Sequence, residues 1–387
     1  DRLTHLKPGI VINDRYTVGT VIGAGGFGVT YRAWDRILDS IIALKEYFPD
    51  GVAARIDEIN VSVYSVDEKE AYDRGKERFL KEARSLAKFN NNPGTVTIYD
   101  FFELNGTAYI TMEYLDGYNM NEYMKILESE NKEKYIPIDM LVDMAGSICD
   151  VLSVVHSTGV IHRDISPENI FAVGDGSYRL IDFGAAKQQM SDEKLSSTVI
   201  LKHDYAPIEQ FSQMGNVGPW TDIYSLGASL YKLATGVSPK ESIQRIMNDD
   251  IVEPVKLRPD IPRHISDAIM KAMSLQINER YQNAKDLKEA LLGGKTVDDY
   301  KAAVKTDVKR DEMAQSDKGA EYQEKAIREA ESAEDSMLDI NAFLDFDDTE
   351  EKNRSSAILE EIKKKAAKEK EENPPSGRGW ADASSTE

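Results

Sequence analysis

The sequence predicts an α+β chain of two lobes, an antiparallel sheet with one main helix followed by a mainly helical lobe, with a charged C-terminal tail. Three observations predict it. Short β-branched runs broken by glycines fill residues 16–48, long apolar helical runs dominate after Gly117, and the apolar periodicity stops at Gly293-Gly294. The 387 residues suffice for two or three cores, and an apolar fraction of 41% with 8% aromatics is ordinary for a globular protein.

Taken in order, residues 1–15 read as an N-terminal arm. Strands follow at residues 16–22, 29–34 and 41–46, each alternating or β-branched, with Gly23, Gly25, Gly26 and Gly28 marking the first turn. A polar loop covers residues 49–67, with one short strand at 60–64. Phe79, Leu80, Ala83, Leu86 and Ala87 recur at helical spacing, which predicts a helix over 68–89. Strands at 95–103 and 107–114 are joined by Asn105-Gly106, a hairpin signal. This gives a first lobe over 16–115. The second lobe, 116–292, has apolar helices at 140–156, 222–234, 265–273 and 284–292, with turn-rich short strands at 161–181. The tail, 293–387, has few aromatics and no evident core, and is expected to be helical or disordered. Ile358, Leu359, Ile362 and Ala366 could form one amphipathic helix there before Pro374-Pro375.

Composition excludes several roles. A formal net charge of −20 argues against nucleic acid as a partner, since that binding relies on a cationic surface. Cys149 is the single cysteine, so no intrachain disulfide can form, and a reducing, cytoplasmic setting is expected. No apolar run approaches the roughly 20 residues of a membrane helix. The chain opens at Asp1 rather than Met, as a piece trimmed from a longer protein would, and a tether to a membrane would have to lie outside these residues.

The chemistry resides in four segments. Gly23-Ala24-Gly25-Gly26-Phe27-Gly28-Val29 fits Gly-x-Gly-x-x-Gly-x-Val. The same spacing serves dinucleotide-binding turns, but those lead into a helix, whereas residues 29–34 continue as a strand. Strand, glycine turn and strand make a flap whose N–H groups can lie over phosphates. Lys45, on the third strand, is placed to neutralise phosphate charge and needs a carboxylate to hold it, for which Glu82 on the helix is the candidate. Singly, each is more often a surface residue. Asp164 and Asn169 then put a general base and a metal ligand on one loop, and Leu180-Ile181-Asp182-Phe183-Gly184 ends a buried strand in a carboxylate. Phosphoryl transfer needs Mg²⁺ bridging the phosphates, a neutralising cation and an acceptor hydroxyl held in line. Asn169 and Asp182 can supply metal ligands, Lys45 the cation, and Asp164 the orientation and proton acceptance.

With Ile161-His162-Arg163-Asp164-Ile165-Ser166-Pro167-Glu168-Asn169 and Asp182-Phe183-Gly184 in this order, residues 10–292 resemble the eukaryotic-like (Hanks-type) Ser/Thr protein kinases of bacteria. More narrowly they resemble a group found in Gram-positive bacteria, through Lys45-Glu46-Tyr47-Phe48-Pro49, Asn105-Gly106-Thr107-Ala108-Tyr109 and Gly218-Pro219-Trp220-Thr221-Asp222. The resemblance implies the two-lobed protein kinase fold, with ATP and Mg²⁺ as cofactors and protein hydroxyls as acceptors. It implies Met112 as gatekeeper, Glu113 to Leu115 as the hinge facing adenine, and Val29 and Ala43 packed on the adenine ring. Leu86, His162 and Phe183 would belong to an apolar spine. Glu209, in Ala206-Pro207-Ile208-Glu209, would pair with Arg280, and Asp222 would cap the backbone of the loop before Asp164. Arg163 would bind a phosphate on the segment after Gly184, at Thr198, Ser197 or Ser196, placed there by trans-autophosphorylation between self-associated copies.

Three departures stand out. Ser166 replaces the lysine usual in Ser/Thr kinases, His203-Asp204 replaces Pro-Gly, and the span from Lys45 to Glu82 is longer than usual, so that residues 50–67 could shield or steer the helix bearing Glu82. Two other functions fit parts of the pattern: a pseudokinase-like ATP-binding scaffold, and a small-molecule phosphotransferase of the aminoglycoside or choline type. The first would be expected to have lost at least one of Lys45, Glu82, Asp164, Asn169 and Asp182. The second would lack the full run from Asp182 to Glu209. Substrate, activating signal, oligomeric state and the role of the tail have no signature in the sequence.

Overall fold

The computed structural model describes residues 5–131, 134–183, 204–211 and 215–293, all within one compact unit spanning Asp1–Val297. The expected tail helix, and the segment holding Gly184, Ser196, Ser197, Thr198 and His203, lie outside the described residues.

The first lobe is a six-stranded antiparallel sheet. Its strands are β1 (Val11–Ile12), β2 (Tyr16–Gly25), β3 (Gly28–Asp35), β4 (Ser40–Tyr47), β7 (Ile98–Leu104) and β8 (Thr107–Glu113), in the order β1-β2-β3-β4-β8-β7. Part of the N-terminal arm therefore belongs to the sheet, and Leu6 and Ile12 are buried. Between β4 and the main helix α1 (Lys69–Leu86) the polar loop folds as a hairpin, β5 (Ala53–Arg55) paired with β6 (Val61–Val63). The β7–β8 turn runs through Asn105 at φ 55° and Gly106 at φ 77°, as the Asn-Gly pair predicts. Glycine is doubly required at 106, because a Cβ there would sit 2.2 Å from the Val61 carbonyl oxygen.

Helix α1 buries Tyr72, Gly75, Phe79, Leu80, Ala83 and Leu86 against the sheet and leaves Glu82 half-buried at the edge of that stripe. A short 3₁₀ turn, Ala87–Phe89, then brings the chain back to the sheet. The strand expected from residue 95 starts later, at Ile98. Thr95 instead makes an isolated parallel bridge to Leu180, whose N–H donates to the Gly94 carbonyl at 2.9 Å. Gly94 lies so close to Val151 that a Cβ would come within 2.0 Å of its methyl group.

The second lobe begins with β9 (Gly117–Asn119) and α2 (Met120–Asn131), neither evident in the sequence pattern, then α3 (Ile138–Ser157). Helix α3 is buried along most of its length and packs on α4 (Pro219–Thr235) and on α8 (Ala284–Leu291). Burial pushes the Cys149 thiol up to about 12, so this thiol is inert at neutral pH. Three short helices, α5 (Ser242–Met247), α6 (Pro254–Leu257) and α7 (Arg263–Ala272), complete the lobe. No helix among the described residues is long and apolar enough to cross a membrane.

The Glu209–Arg280 pair expected from the resemblance is present and nearly fully buried. Arg280 Nη1 donates to Glu209 Oε1 at 2.6 Å and Nη2 to Oε2 at 3.2 Å. Every other polar face of the pair is engaged: Thr221 donates to Glu209, the carbonyls of Ser274 and Leu275 accept from Arg280, and the guanidinium lies 4.8 Å from the Tyr224 ring centre. Removing one partner strands the other charge out of water. Arg280→Met is expected to lower unfolding free energy by about 3–5 kcal/mol, a large part of a domain's roughly 5–15 kcal/mol. Urea denaturation of the variant reads this directly, and a loss under about 1 kcal/mol would contradict it.

Candidate active site

The hairpin of β10 (Ile170–Val173) and β11 (Tyr178–Leu180) aligns Ile170 with Leu180, which brings the residues flanking it, Asn169 and Asp182, to the same end. The Ile181 N–H donates to the Asn169 carbonyl at 3.0 Å and extends the ladder by one step. Asn169 is buried, and its Nδ2 donates to Asp164 twice, to the carbonyl at 2.6 Å and to Oδ2 at 2.8 Å. The amide nitrogen is thus committed to Asp164, which leaves the amide oxygen as the group that can face a cation.

The loop before Asp164 is held by Asp222. Its carboxylate, fully buried in the first turn of α4, accepts from the His162 N–H at 2.8 Å and the Arg163 N–H at 2.7 Å. His156 Nε2 adds a contact at 2.7 Å. Arg163 sits at φ 67° and Asp182 at φ 53°, left-handed conformations that cost non-glycine residues of order 1–3 kcal/mol each. One of the two strained residues carries a carboxylate itself, Asp182, and the other, Arg163, immediately precedes one, Asp164.

His162 is fully buried. Its Nδ1 accepts from the Asp164 N–H at 3.3 Å, so Nε2 carries the proton and donates to the Ile181 carbonyl at 3.2 Å. The ring centre is 4.3 Å from that of Phe183, which also stacks on Phe89 at 6.1 Å. Leu86 and Phe183, expected in an apolar spine, are both buried. Phe89, missed in the sequence, completes the aromatic stack, and its place three residues after Leu86 was the available signal.

From the first lobe, Lys45 reaches across the cleft. Its Nζ forms an ion pair with Asp182 Oδ1. Burial alone would lower its pKa, but Asp182 and Glu82, with a smaller contribution from Asp164, hold the ammonium above its ordinary value. Three carboxylates, those of Asp182, Glu82 and Asp164, therefore act on one charge, the Lys45 ammonium.

Above them, residues 21–26 of the glycine turn are exposed, with open space where Cβ atoms of Gly25 and Gly26 would lie. Gly28 differs: a Cβ there would meet the Glu46 carbonyl oxygen at 2.2 Å. Val29 and Ala43 are buried, and Ala43 pairs across the sheet with Met112, so the residues expected around adenine share one region of the sheet. Gly23 is exposed, Phe27, Glu113 and Leu115 are half-buried, and the Glu113 N–H donates to the Thr97 carbonyl at 2.9 Å. Ser166, which stands where a lysine is usual, is fully buried.

Burial holds the His162 pKa below the ordinary 6.5, despite the opposing pull of Asp222 and Asp164. A depressed value in the fold means that the unfolded chain takes up the proton first. The resulting stability is complete above pH 6.5 and is lost as pH falls below it, by at most about 1.4 kcal/mol per pH unit. The stability gap between wild type and His162→Gln, from urea midpoints, is expected to narrow from pH 7 to pH 5.5. A constant gap would mean that this imidazole is not neutral and buried.

Residues 16–295 match the family model described as protein kinase domain. The chain is 30% identical over 291 residues to a probable serine/threonine-protein kinase of Clostridium acetobutylicum, covering 73% of this chain and 40% of that one. It is 27% identical to serine/threonine-protein kinase PknB of Mycobacterium leprae, covering 73% and 43%. The chain thus spans less than half the length of these curated relatives. Among solved structures, the PpkA-294 apo form superposes with a TM-score of 0.67 at 31% identity, over 74% of this chain and 99% of that one. The kinase domain of Mycobacterium tuberculosis PknI, at 19% identity and TM-score 0.54 over 75% and 100%, shares the fold.

Proposed function

Because the chain belongs to the protein kinase domain family, we propose that it transfers the γ-phosphoryl group of ATP to serine and threonine hydroxyls of proteins. The observation that carries this is the meeting of Lys45 with Asp182 across the cleft, beside the Asn169–Asp164 pair. The lobes are divided at residues 115 and 116, with ATP between them.

In this reading the glycine turn, Gly23 to Gly28 with Phe27 at its tip, covers the phosphates. Val29, Ala43 and Met112 pack on the adenine, and the backbone from Glu113 to Leu115 faces its polar edge. Lys45, oriented by Glu82, neutralises phosphate charge. Asn169 and Asp182 offer oxygens of the kind Mg²⁺ prefers, and one or two protein ligands suffice when phosphates and waters complete the shell. When bound there, Mg²⁺ supplies charge neutralisation on the β- and γ-phosphates. Asp164 accepts the proton of the attacking hydroxyl as its oxygen bonds to the γ-phosphorus and the bond to the ADP oxygen breaks. Asn169 fixes the Asp164 carboxylate for that task.

Activation belongs to the same proposal. A phosphate on Thr198, Ser197 or Ser196, added in trans by a second copy, would be gripped by the Arg163 guanidinium and would raise transfer.

Asp164→Asn is expected to reduce phosphorylation of a generic basic protein by about two to four orders of magnitude while ATP still binds. Asp182→Asn is expected to abolish the Mg²⁺-dependent part of ATP binding. Radiolabel transfer and calorimetry measure the two. Wild-type turnover in Asp164→Asn would remove Asp164 from the mechanism. Transfer to an aminoglycoside or choline instead of protein would replace the acceptor class, and ATP binding with no transfer would leave a scaffold.

A further inference from the structure

The hairpin β5–β6 occupies the long span between Lys45 and Glu82, and its one buried charge reaches the back of the strand that carries Lys45. Successive side chains of β4 point to opposite faces. Lys45 faces the cleft, so Glu46 faces the other way, and it is fully buried. Its carboxylate accepts from Tyr31 at 3.0 Å, from Tyr109 at 3.1 Å, and from Arg55 twice, Nη1 at 3.2 Å and Nη2 at 2.7 Å. Both charged side chains are completely removed from solvent. Burial raises the Tyr31 and Tyr109 pKa values, so both hydroxyls stay protonated and donate.

Arg55 has two further contacts that lead to the site. Nη1 donates to the Ile59 carbonyl at 3.0 Å, closing the hairpin on itself. The guanidinium carbon lies 5.1 Å from the centre of the Phe48 ring. Phe48 donates its N–H to the Phe27 carbonyl at 3.1 Å, and Asp50 donates to the Gly26 carbonyl at 3.0 Å. The tip of the glycine turn is therefore hydrogen-bonded to the segment that Arg55 clamps.

A second path runs to the helix of Glu82. Tyr47, next to Glu46, packs its ring on Tyr72 at 5.2 Å and on Phe79 at 5.6 Å. Gly75 allows that contact, because a Cβ there would lie 2.1 Å from the Tyr47 hydroxyl. Thr107 donates to the Tyr47 carbonyl, Tyr72 to the Gly106 carbonyl at 3.1 Å, and the Val61 N–H of the hairpin to the Asn105 carbonyl at 2.8 Å.

We infer that the β5–β6 hairpin is a brace that sets the glycine turn against Lys45 and Glu82, with Arg55 as the positioning residue for ATP phosphate binding. The inference rests on the ATP-dependent reading above. A pair that served stability alone would need no link to the glycine turn, yet Phe48 gives it one. A bidentate fork with a ring stacked on its face is also a site where lysine cannot substitute for arginine.

The test compares wild type, Arg55→Lys and the charge-neutral Glu46→Gln/Arg55→Met double variant, all as the full chain. Replacing both partners of a buried pair is tolerated far better than removing one. Near-UV circular dichroism and melting establish folding, after which KM for ATP, KM for a generic basic protein, and kcat are measured. In the double variant KM for ATP is expected to rise by about 10-fold with a lower kcat, while KM for the protein acceptor stays unchanged. Arg55→Lys, which keeps the charge without the fork, is expected to show a rise of about 3-fold. Wild-type kinetic constants in a folded variant, with only the melting temperature altered, would overturn the inference, as would an equal rise in both KM values. Failure of both variants to fold would also count against it, since the pair would then be a folding element alone. A wild type that transfers no phosphoryl group would sink the proposed function, and the brace would still be judged by calorimetric ATP affinity of the same variants.

Discussion

The carboxylate of Asp222 accepts from two consecutive backbone N–H groups, and the geometry of the cleft follows from that clamp. Two adjacent amides can converge on one carboxylate only if the chain turns sharply, and Arg163 at φ 67° provides the turn. Charge-assisted bonds to a buried anion are among the stronger ones, which offsets the strain. A chain of contacts starts there. His162 accepts from the Asp164 amide, Asn169 donates to Asp164, the Asn169 carbonyl accepts from Ile181, and the next residue pairs with Lys45. A buried acid in α4 is thus coupled to a cation in the sheet of the other lobe.

The two strained residues divide the labour differently. Arg163 is fixed from behind by Asp222 and by Gln210, whose Nε2 donates to the Arg163 carbonyl at 2.7 Å. Asp182 is fixed from in front, by Lys45, and its side chain remains 40% exposed. The second residue therefore has a contact across the cleft, whereas the bonds from Asp222 and Gln210 to the first lie within one lobe. The loop before Asp164 is held by contacts within its own lobe, while Asp182 is also held by Lys45 from the other.

Much of this was legible in the sequence, because motif residues are held by local geometry. Asp164 and Asn169 lie on one loop, Asp182 follows one short hairpin later, and the Asn105-Gly106 turn specifies its own backbone. Residues 53–55 carried no alternation long enough to read as a strand, so the hairpin bearing Arg55 looked like a loop with half its pairing missing. Tyr31 and Tyr109 fall within expected strands, but nothing local announces that two hydroxyls and a guanidinium will converge on Glu46. The same holds for Phe89, whose partner Phe183 is distant in the chain. Such convergences depend on sheet register, which periodicity does not encode. Helix α2 was hidden by its mixed polarity, and the N-terminal arm by the brevity of β1.

The bridge between Thr95 and Leu180 has a mechanical consequence. The lobes are tied there by backbone, and again where the chain crosses near Asp116, whose carbonyl accepts from the Gly174 N–H at 2.8 Å. Any rotation of one lobe that preserves both ties must turn about the line joining them. That line is an axle, and displacement grows with distance from it. Glu113 to Leu115 immediately precede Asp116 in the chain, so they lie beside one end of the axle. Gly94 is the bearing, and its missing side chain leaves room for Val151 to seat it.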